Sequence, residues 1–406
     1  MSGHESNMSR KTDTAETVTR DTVLELSIVM PCLNEAETLG TCIQKAQEFL
    51  HRYKVAGEIV VADNGSTDGS QEIAILMGAR VVHVEAKGYG NALMGGITAA
   101  RGQYVIMGDA DDSYDFLDLS RFVDKLREGH DLVMGCRLPW GGGMIKPGAM
   151  PFLHQWWGNP MFTIMARRWF GAPINDVYCG LRGFSKALFL RLNLRCTGME
   201  FATEMIIKSS LYREKIAEVP ITLHPDGRTA HPPHLKTYRD GWRTLRFFLL
   251  YSPRWLFVIP GAVLILLGMI GYAVAMPGLT VNGVTFDAHT LLFASLAILC
   301  GYQSILFAMF SKTFAVSEGL MPEDPRLTKF FKAMYLERSL LLSGAGLLLG
   351  LGLLLVASQE WRLAGFGQLD YAKTMRLVIP GSTLTALSFQ TILSSFFVSI
   401  LGMSRR

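Results

Sequence analysis

The apolar and polar positions of this chain follow two different regimes. Up to about residue 250, short apolar runs alternate with amphipathic ones. Leu26-Ser-Ile-Val-Met-Pro31 is an apolar run ending at proline and predicts a first strand. Asn34-Glu-Ala-Glu-Thr-Leu39 then predicts the opening of a helix with Leu39, Ile43, Ala46 and Leu50 at helical spacing. Strands follow at 58–62, 79–84 and 104–107, with helices at 71–77 and 90–100 between them. Strands alternating with helices imply an α/β fold with a mostly parallel sheet flanked by helices. Ligands of such sheets bind beyond the carboxyl ends of the strands. The polar clusters 31–35, 63–68 and 109–112 fall at those ends.

Beyond about Tyr251 the pattern changes to long apolar stretches, at about 254–276, 289–311, 339–357 and 376–402. Each is long enough to cross a bilayer, which takes about 20 residues. The expected organisation is a disordered polar tail (1–22), an α/β domain (23–235), an interfacial helix (236–253) and an all-α membrane domain of four transmembrane helices (254–406). The tail, Met1 to about Asp21, has no apolar stretch suited to a signal peptide. Basic residues 236, 239, 243 and 246 alternate with aromatics, as in a helix lying among lipid headgroups. Trp156 to Phe170 has similar character, and an ordinary amphipathic core helix fits it equally well. The loop after the first stretch has no Lys or Arg, whereas the next has Lys312, Arg326, Lys329, Lys332 and Arg338, and the chain ends Arg405-Arg406. The positive-inside rule therefore predicts a cytoplasmic α/β domain and cytoplasmic termini. A bacterial inner or plasma membrane is the first expectation, with an endoplasmic reticulum or archaeal membrane left open.

Composition adds limits. Charged residues are only 18% of the 406, and the net charge of +4 implies no attraction to nucleic acid. The six cysteines lack zinc-like pairing and read as reduced thiols.

The chemistry concentrates in Asp109-Ala110-Asp111, which ends the apolar run Gly102 to Gly108. Alternate residues of an extended chain point the same way, so both acids can face one site. Hard oxygen ligands at that spacing suit Mg2+ or Mn2+ bridging to a phosphate, although a solvated acidic turn is the plain alternative. Asn34 and Glu35 could cap a helix or bond a nucleotide, and Asp63-Asn64-Gly65 forms a tight turn able to accept ribose or base contacts. Gly88-Tyr-Gly90-Asn91 fails the dinucleotide fingerprint and reads as a helix start that, with Lys87, approaches phosphates.

Together these residues resemble the family 2 inverting glycosyltransferases, in particular the polyprenyl-phosphate hexosyltransferases such as the dolichol-phosphate mannose and glucose synthases and their bacterial relatives. The resemblance covers about residues 25–255. It implies a GT-A fold, donor binding by Pro31, Leu33, Asn34, Glu35, Asp63, Asn64, Gly65, Lys87, Gly88, Asn91, Asp109, Ala110, Asp111 and Arg228, and a metal on Asp109 and Asp111. It further implies that Arg137, at the end of Leu132-Val-Met-Gly-Cys-Arg137, faces an acceptor phosphate together with Arg182, that Asp176 lies near the reacting centre, and that Glu204 packs into the acceptor site. Surface ion pairing or helix capping are the plain readings for Arg137, Arg182 and Asp176. Members often carry Gln two residues after the second metal Asp; Ser113 stands there, which leaves the third protein ligand open.

The implied reaction moves a hexose from a nucleotide sugar to a polyprenyl phosphate with inversion, UDP-glucose being the first-choice donor and GDP-mannose the second. The implied partners are the nucleotide sugar, the lipid phosphate and the membrane; a homo-oligomer is left open. A processive polysaccharide synthase is the rival of the same fold, but Met165 occupies the Gln position of its Gln-x-x-Arg-Trp motif. A membrane scaffold or transporter is the rival of another class, disfavoured by the few ionisable residues in the apolar stretches.

Overall fold

The computed structural model describes residues 24–228, 237–323, 325 and 336–401. The expected tail, Lys236, Arg326, Lys329, Lys332 and Arg405-Arg406 lie outside the described residues. In chain order the first region runs β1 (Leu26–Cys32), α1 (Leu39–Arg52), β2 (Gly57–Asp63), α2 (Ser70–Leu76), β3 (Arg80–His83), α3 (Tyr89–Ala99), β4 (Tyr104–Met107), α4 (Ser120–Arg127), β5 (Leu132–Cys136), β6 (Met144–Ile145), α5 (Asn159–Met165), β7 (Arg182–Ser185), α6 (Lys186–Leu192), α7 (Glu200–Leu211), β8 (Ile216–Pro220) and β9 (Thr222–Leu223).

Seven strands form one sheet in the order β3-β2-β1-β4-β7-β5-β8. The first four are parallel, and β7 enters antiparallel between β4 and β5. Cys32 pairs with Asp63 and Asp63 with His83, so the carboxyl ends of β1, β2 and β3 stand level and their loops share one edge. The core is apolar on both faces of the sheet; Phe116, Phe122, Phe184 and Phe201 are fully buried, each contributing roughly 1.5–3 kcal/mol. The expected helix start at Asn34 is displaced. Asn34 takes φ 60, a left-handed turn, and α1 begins only at Leu39.

The second region is helical: α8 (Thr237–Leu250), α9 (Ile259–Ala275), a hairpin of β10 (Thr280–Val281) and β11 (Val284–Thr285), α10 (Ala288–Ser317), α11 (Leu336–Leu363) and α12 (Tyr371–Leu401). A π-helical turn, Arg254–Val258, leads into α9, so the first apolar helix spans Arg254–Ala275. These four long apolar helices are each long enough to cross a bilayer. Leu341, Leu348 and Leu355 form a stripe on α11 that is 69–74% exposed, as a lipid-facing surface requires. Where the helices touch, glycine lets backbones approach. A Cβ at Gly261 would lie 2.7 Å from the Gly301 carbonyl, and one at Gly350 would lie 2.9 Å from that of Gly381.

Candidate active site

Asp109 and Asp111 stand directly beyond β4, as the strand pattern predicts. The Tyr89 hydroxyl donates to Asp109 Oδ1 at 2.9 Å. The Ser113 hydroxyl (2.6 Å) and backbone N–H (3.1 Å) both donate to Asp111 Oδ1. Thr38 Oγ1 donates to the carbonyl of Ala110 between them. Burial, and then the charge of Asp111, push Asp109 up to about 6, against the pull of the Tyr89 hydrogen bond. Gly180 borders the pair: a Cβ there would lie 2.8 Å from Asp109 Oδ2.

The cation nearest Asp111 is Arg228. Its guanidinium lies 3.3 Å from Asp111 Oδ2, 2.9 Å from Glu35 Oε1 and 2.5 Å from Asp226 Oδ2. Two mutually repelling, half-buried carboxylates with hard oxygens fit a divalent ion such as Mg2+ or Mn2+ that takes its remaining ligands from phosphates and water. Among the described residues no group of three or more His, Cys, Asp and Glu forms a complete all-protein cage. Ser113, where Gln was expected, spends its hydroxyl on orienting Asp111.

The loops beyond β1, β2 and β3 brace one another. Asn34 Oδ1 accepts from Thr67 N–H at 2.9 Å, and Asn34 N–H donates to Ser66 Oγ at 3.0 Å. Asp63 accepts from the N–H groups of Gly65 and Ser66 and from Gln71 Nε2. Burial opposes its ionisation, but these hydrogen bonds hold its carboxyl below the ordinary value. Asn64, buried, donates to the carbonyls of Val84 and Ala86 and accepts from Gly88 N–H at 2.8 Å. Lys87 Nζ rests on the Asn64 carbonyl at 2.6 Å, and Asn91 Nδ2 caps the Lys87 carbonyl at 3.0 Å. Pro31 is the last residue but one of β1, and Leu33, just beyond the strand, is 40% exposed. Asp63 and Asn64 thus hold these loops together from within, while Leu33 and Lys87 are exposed.

On the other side, Arg137 and Asp176 form a forked pair. Nε lies 2.7 Å from Oδ2 and Nη2 lies 2.8 Å from Oδ1. Asp176 also accepts from the N–H groups of Arg137 and Tyr178 and is fully buried. Its carboxylate therefore orients the Arg137 guanidinium. Glu218, which the sequence reading missed, holds this turn through Asn175 N–H, Asn175 Nδ2 and Asp176 N–H. A lone acid inside the strand Ile216-Ala-Glu-Val-Pro220 was the available signal.

Two expectations need correction. Arg182 opens β7 with its side chain in the core, fully buried, and donates to the carbonyls of Cys179, Val177 and Ala202. It staples the 177–179 turn to α7 and presents no group to an acceptor. Glu204 is also fully buried, paired with Lys208 at 2.9 Å and accepting from the N–H groups of Arg195 and Cys196. It sits under the 193–198 loop, not in an acceptor site.

Residues 27–192 match the family described as Glycosyl transferase family 2, and residues 309–402 match the Glycosyltransferase family 2 C-terminal transmembrane region. The low-salt glycan biosynthesis hexosyltransferase Agl6 of Haloferax volcanii is 36% identical over 99% of this chain and 93% of its own. The chain belongs to glycosyltransferase family 2. The dolichyl-phosphate hexose transferase of the same organism is 32% identical, over 50% of this chain and 85% of its own. A solved structure of glucosyl-3-phosphoglycerate synthase from Mycobacterium tuberculosis matches 56% of this chain and 80% of that one, at 23% identity and a TM-score of 0.46.

This family 2 glycosyltransferase is an integral membrane protein, with its four apolar helices and a matched transmembrane region. The segment 152–170 is one continuous helical stretch, α5 flanked by π-helical turns. Phe152, Leu153, Trp156, Trp157, Met161 and Ile164 are exposed along it, whereas Phe162, Ala166 and Phe170 are buried. Its inner face packs on α8 through Phe248, edge-on to Phe162 and Phe170. Trp169 stacks on Trp255 at the start of the first span, ring centroids 5.2 Å apart. Trp169 thus ties this stretch to the start of the first apolar helix. His154, in the first turn of this stretch, is held below its ordinary pKa by burial and by the charge of Arg137, and Trp156 of the same stretch lies 6.5 Å, ring centroid to ring centroid, from Trp140, three residues past Arg137.

Proposed function

We propose that this enzyme transfers a hexose from a nucleotide sugar to a polyprenyl phosphate with inversion, on the cytoplasmic face of its membrane. One observation carries the reading. The Arg228 guanidinium lies 3.3 Å from Asp111, and a second guanidinium, that of Arg137, is held by Asp176 in a two-pronged contact, so the carboxylate pair beyond β4 is accompanied by two oriented cations. The relatives named as a hexosyltransferase and a dolichyl-phosphate hexose transferase support it. The exposed aromatic face of 152–170 offers a way for a lipid phosphate to approach Arg137. We read 23–235 as the catalytic domain, 236–253 as interfacial and 254–406 as the membrane domain. Basic Lys312 and Arg338 border the loop on the same side as the catalytic domain, where Arg195 touches the Glu318 carbonyl, in keeping with that side being cytoplasmic.

In this reading Leu33, Asn34, Glu35, Lys87 and the 63–65 turn hold the nucleotide and its diphosphate, and Arg228 turns from Asp111 and Glu35 to a donor phosphate. Asp109 and Asp111 would hold Mg2+ or Mn2+, which when bound neutralises charge on the leaving diphosphate. Asp176 aims Arg137, whose Nη1 is left to meet the acceptor phosphate. That phosphate is anionic near neutral pH and needs no general base. Its oxygen forms a bond to the anomeric carbon as the carbon–diphosphate bond breaks on the opposite face. The nucleoside diphosphate departs, and an α-linked donor yields a β-linked product. Positioning and charge neutralisation supply the rate.

The test is a screen of radiolabelled UDP-glucose, GDP-mannose and UDP-N-acetylglucosamine against undecaprenyl and dolichyl phosphate. One donor is expected to yield a lipid-soluble, acid-labile product that requires a divalent ion. Failure of every pairing with well-folded protein sinks the reading and favours a non-catalytic membrane scaffold.

A further inference from the structure

Residues 193–198 join α6 to α7 and touch three regions at once. Towards the donor side, the Thr197 carbonyl accepts from Asn91 N–H at 3.2 Å. The approach is backbone to backbone: a Cβ at Gly88 would collide with the Thr197 carbonyl, and one at Gly90 with that of Cys196. Beneath the loop, Glu204 Oε2 accepts from the N–H groups of Arg195 and Cys196, both at 2.8 Å. Lys208 Nζ binds Glu204 Oε1 at 2.9 Å and donates to the carbonyls of Leu192 (3.0 Å) and Asn193 (2.9 Å). Towards the membrane, the Tyr251 hydroxyl, just past α8, donates to the same Glu204 Oε1 at 3.2 Å. Arg195 Nη2 donates to the Glu318 carbonyl, just past α10, at 3.1 Å.

A buried, fully bonded ion pair contributes little net stability over an apolar pair of the same shape; its value lies in fixing geometry. What Glu204 and Lys208 fix is a loop lying against the first turn of α3. Lys87 and Gly88 lead directly into that turn, and the Thr197 carbonyl lies against Gly88, so the loop borders the segment read as the diphosphate cradle. Its other ties run to the segments that enter the membrane.

We propose that Glu204 and Tyr251 are positioning residues that couple the seating of the membrane-entering helices to the shape of the cradle at residues 87–91. The inference rests on the reading of that cradle as the donor site. With Tyr251 docked, loop 193–198 is held against α3 and the cradle keeps its bound form. With Tyr251 detached, the loop and the start of α3 loosen together.

Backbone hydrogen exchange of the full-length protein in lipid nanodiscs, without ligand, tests the coupling. Tyr251→Phe is expected to speed exchange about threefold in both 193–198 and 87–92, the size of one modest hydrogen bond, while β4 stays unchanged. Glu204→Gln should act in the same direction and more strongly; if it fails to fold, Tyr251→Phe still decides. Unchanged exchange in both segments overturns the coupling. So does faster exchange confined to 193–198, which a merely structural role would produce. In transfer assays Tyr251→Phe should raise the donor KM about threefold and leave kcat and the acceptor KM in place, and an unaltered donor KM also overturns it. If the wild type transfers no sugar, the functional reading fails, and the exchange result still judges the coupling by itself.

Discussion

Two carboxylate–guanidinium pairs sit at opposite sides of this site and behave differently. Asp176 and Arg137 form a two-pronged contact with the carboxylate wholly buried. Asp111 and Arg228 meet through a single 3.3 Å contact, and Arg228 shares its guanidinium with Glu35 and Asp226. The same chemistry is thus closed in one place and exchangeable in the other. Every acceptor direction of Asp176 is committed to local partners, so its pair is a bracket. Asp111 offers an outer oxygen to whichever cation is nearest. A donor bringing its own phosphates gives Arg228 a better partner, whereas nothing a substrate brings can replace Asp176 for Arg137.

This contrast can be broken in several ways. Asp111→Asn should lower transfer about a thousandfold, in the range for loss of a key charge-stabilising group, with little change in melting temperature; steady-state assays and thermal scans check both halves. Asp176→Ala should do the reverse in kind and destabilise the protein by about 3–5 kcal/mol, because it strands a buried guanidinium; denaturation of the detergent-solubilised protein measures it.

Asp109 offers a pH test in metal-free protein. Its pKa of about 6 exceeds the ordinary carboxylate value, so the folded state binds its proton more tightly than the unfolded chain. Its ionisation therefore costs stability as pH rises from about 4 through 6. Asp109→Asn should flatten the melting-temperature profile over that window and raise the melting temperature at pH 7 by a few degrees. An unchanged profile rejects the raised pKa.

Gly180→Ala places a methyl 2.8 Å from Asp109 Oδ2. It should weaken Mn2+ dependence about tenfold, the scale of disturbing a partner that orients a ligand, as read from transfer against Mn2+ concentration. The smallest effect is expected of Ser113→Ala, about threefold in the same titration, from the loss of one neutral-to-charged hydrogen bond.

Much of this architecture was legible in the chain. The 104–107 strand matches β4 residue for residue, and each apolar stretch became a long helix, the second and third extending past both expected ends and the fourth beginning earlier than expected. Alternation and long apolar runs report burial directly, which is why strands and spans could be read. The antiparallel entry of β7 could not. Arg182-Gly-Phe-Ser185 is four residues long and begins with a charge, and only neighbours on both sides make it a strand. Side-chain roles divided in the same way. Asp109 and Asp111 follow from position along a strand, a local property. Arg182 and Glu204 were named as site residues by the family resemblance, yet the fold surrounds each with partners from other segments.

What the amino-acid order determined by itself was periodicity, and with it the parallel sheet, the loop edge carrying the two aspartates and the four spans, since each depends on residues close together in the chain. Only the tertiary structure decided which charges are spent inside and which remain open. A guanidinium or carboxylate is silenced by carbonyls, amide protons and counter-charges, and at Arg182, Asp176 and Glu204 the deciding partners include groups brought in from other elements by packing.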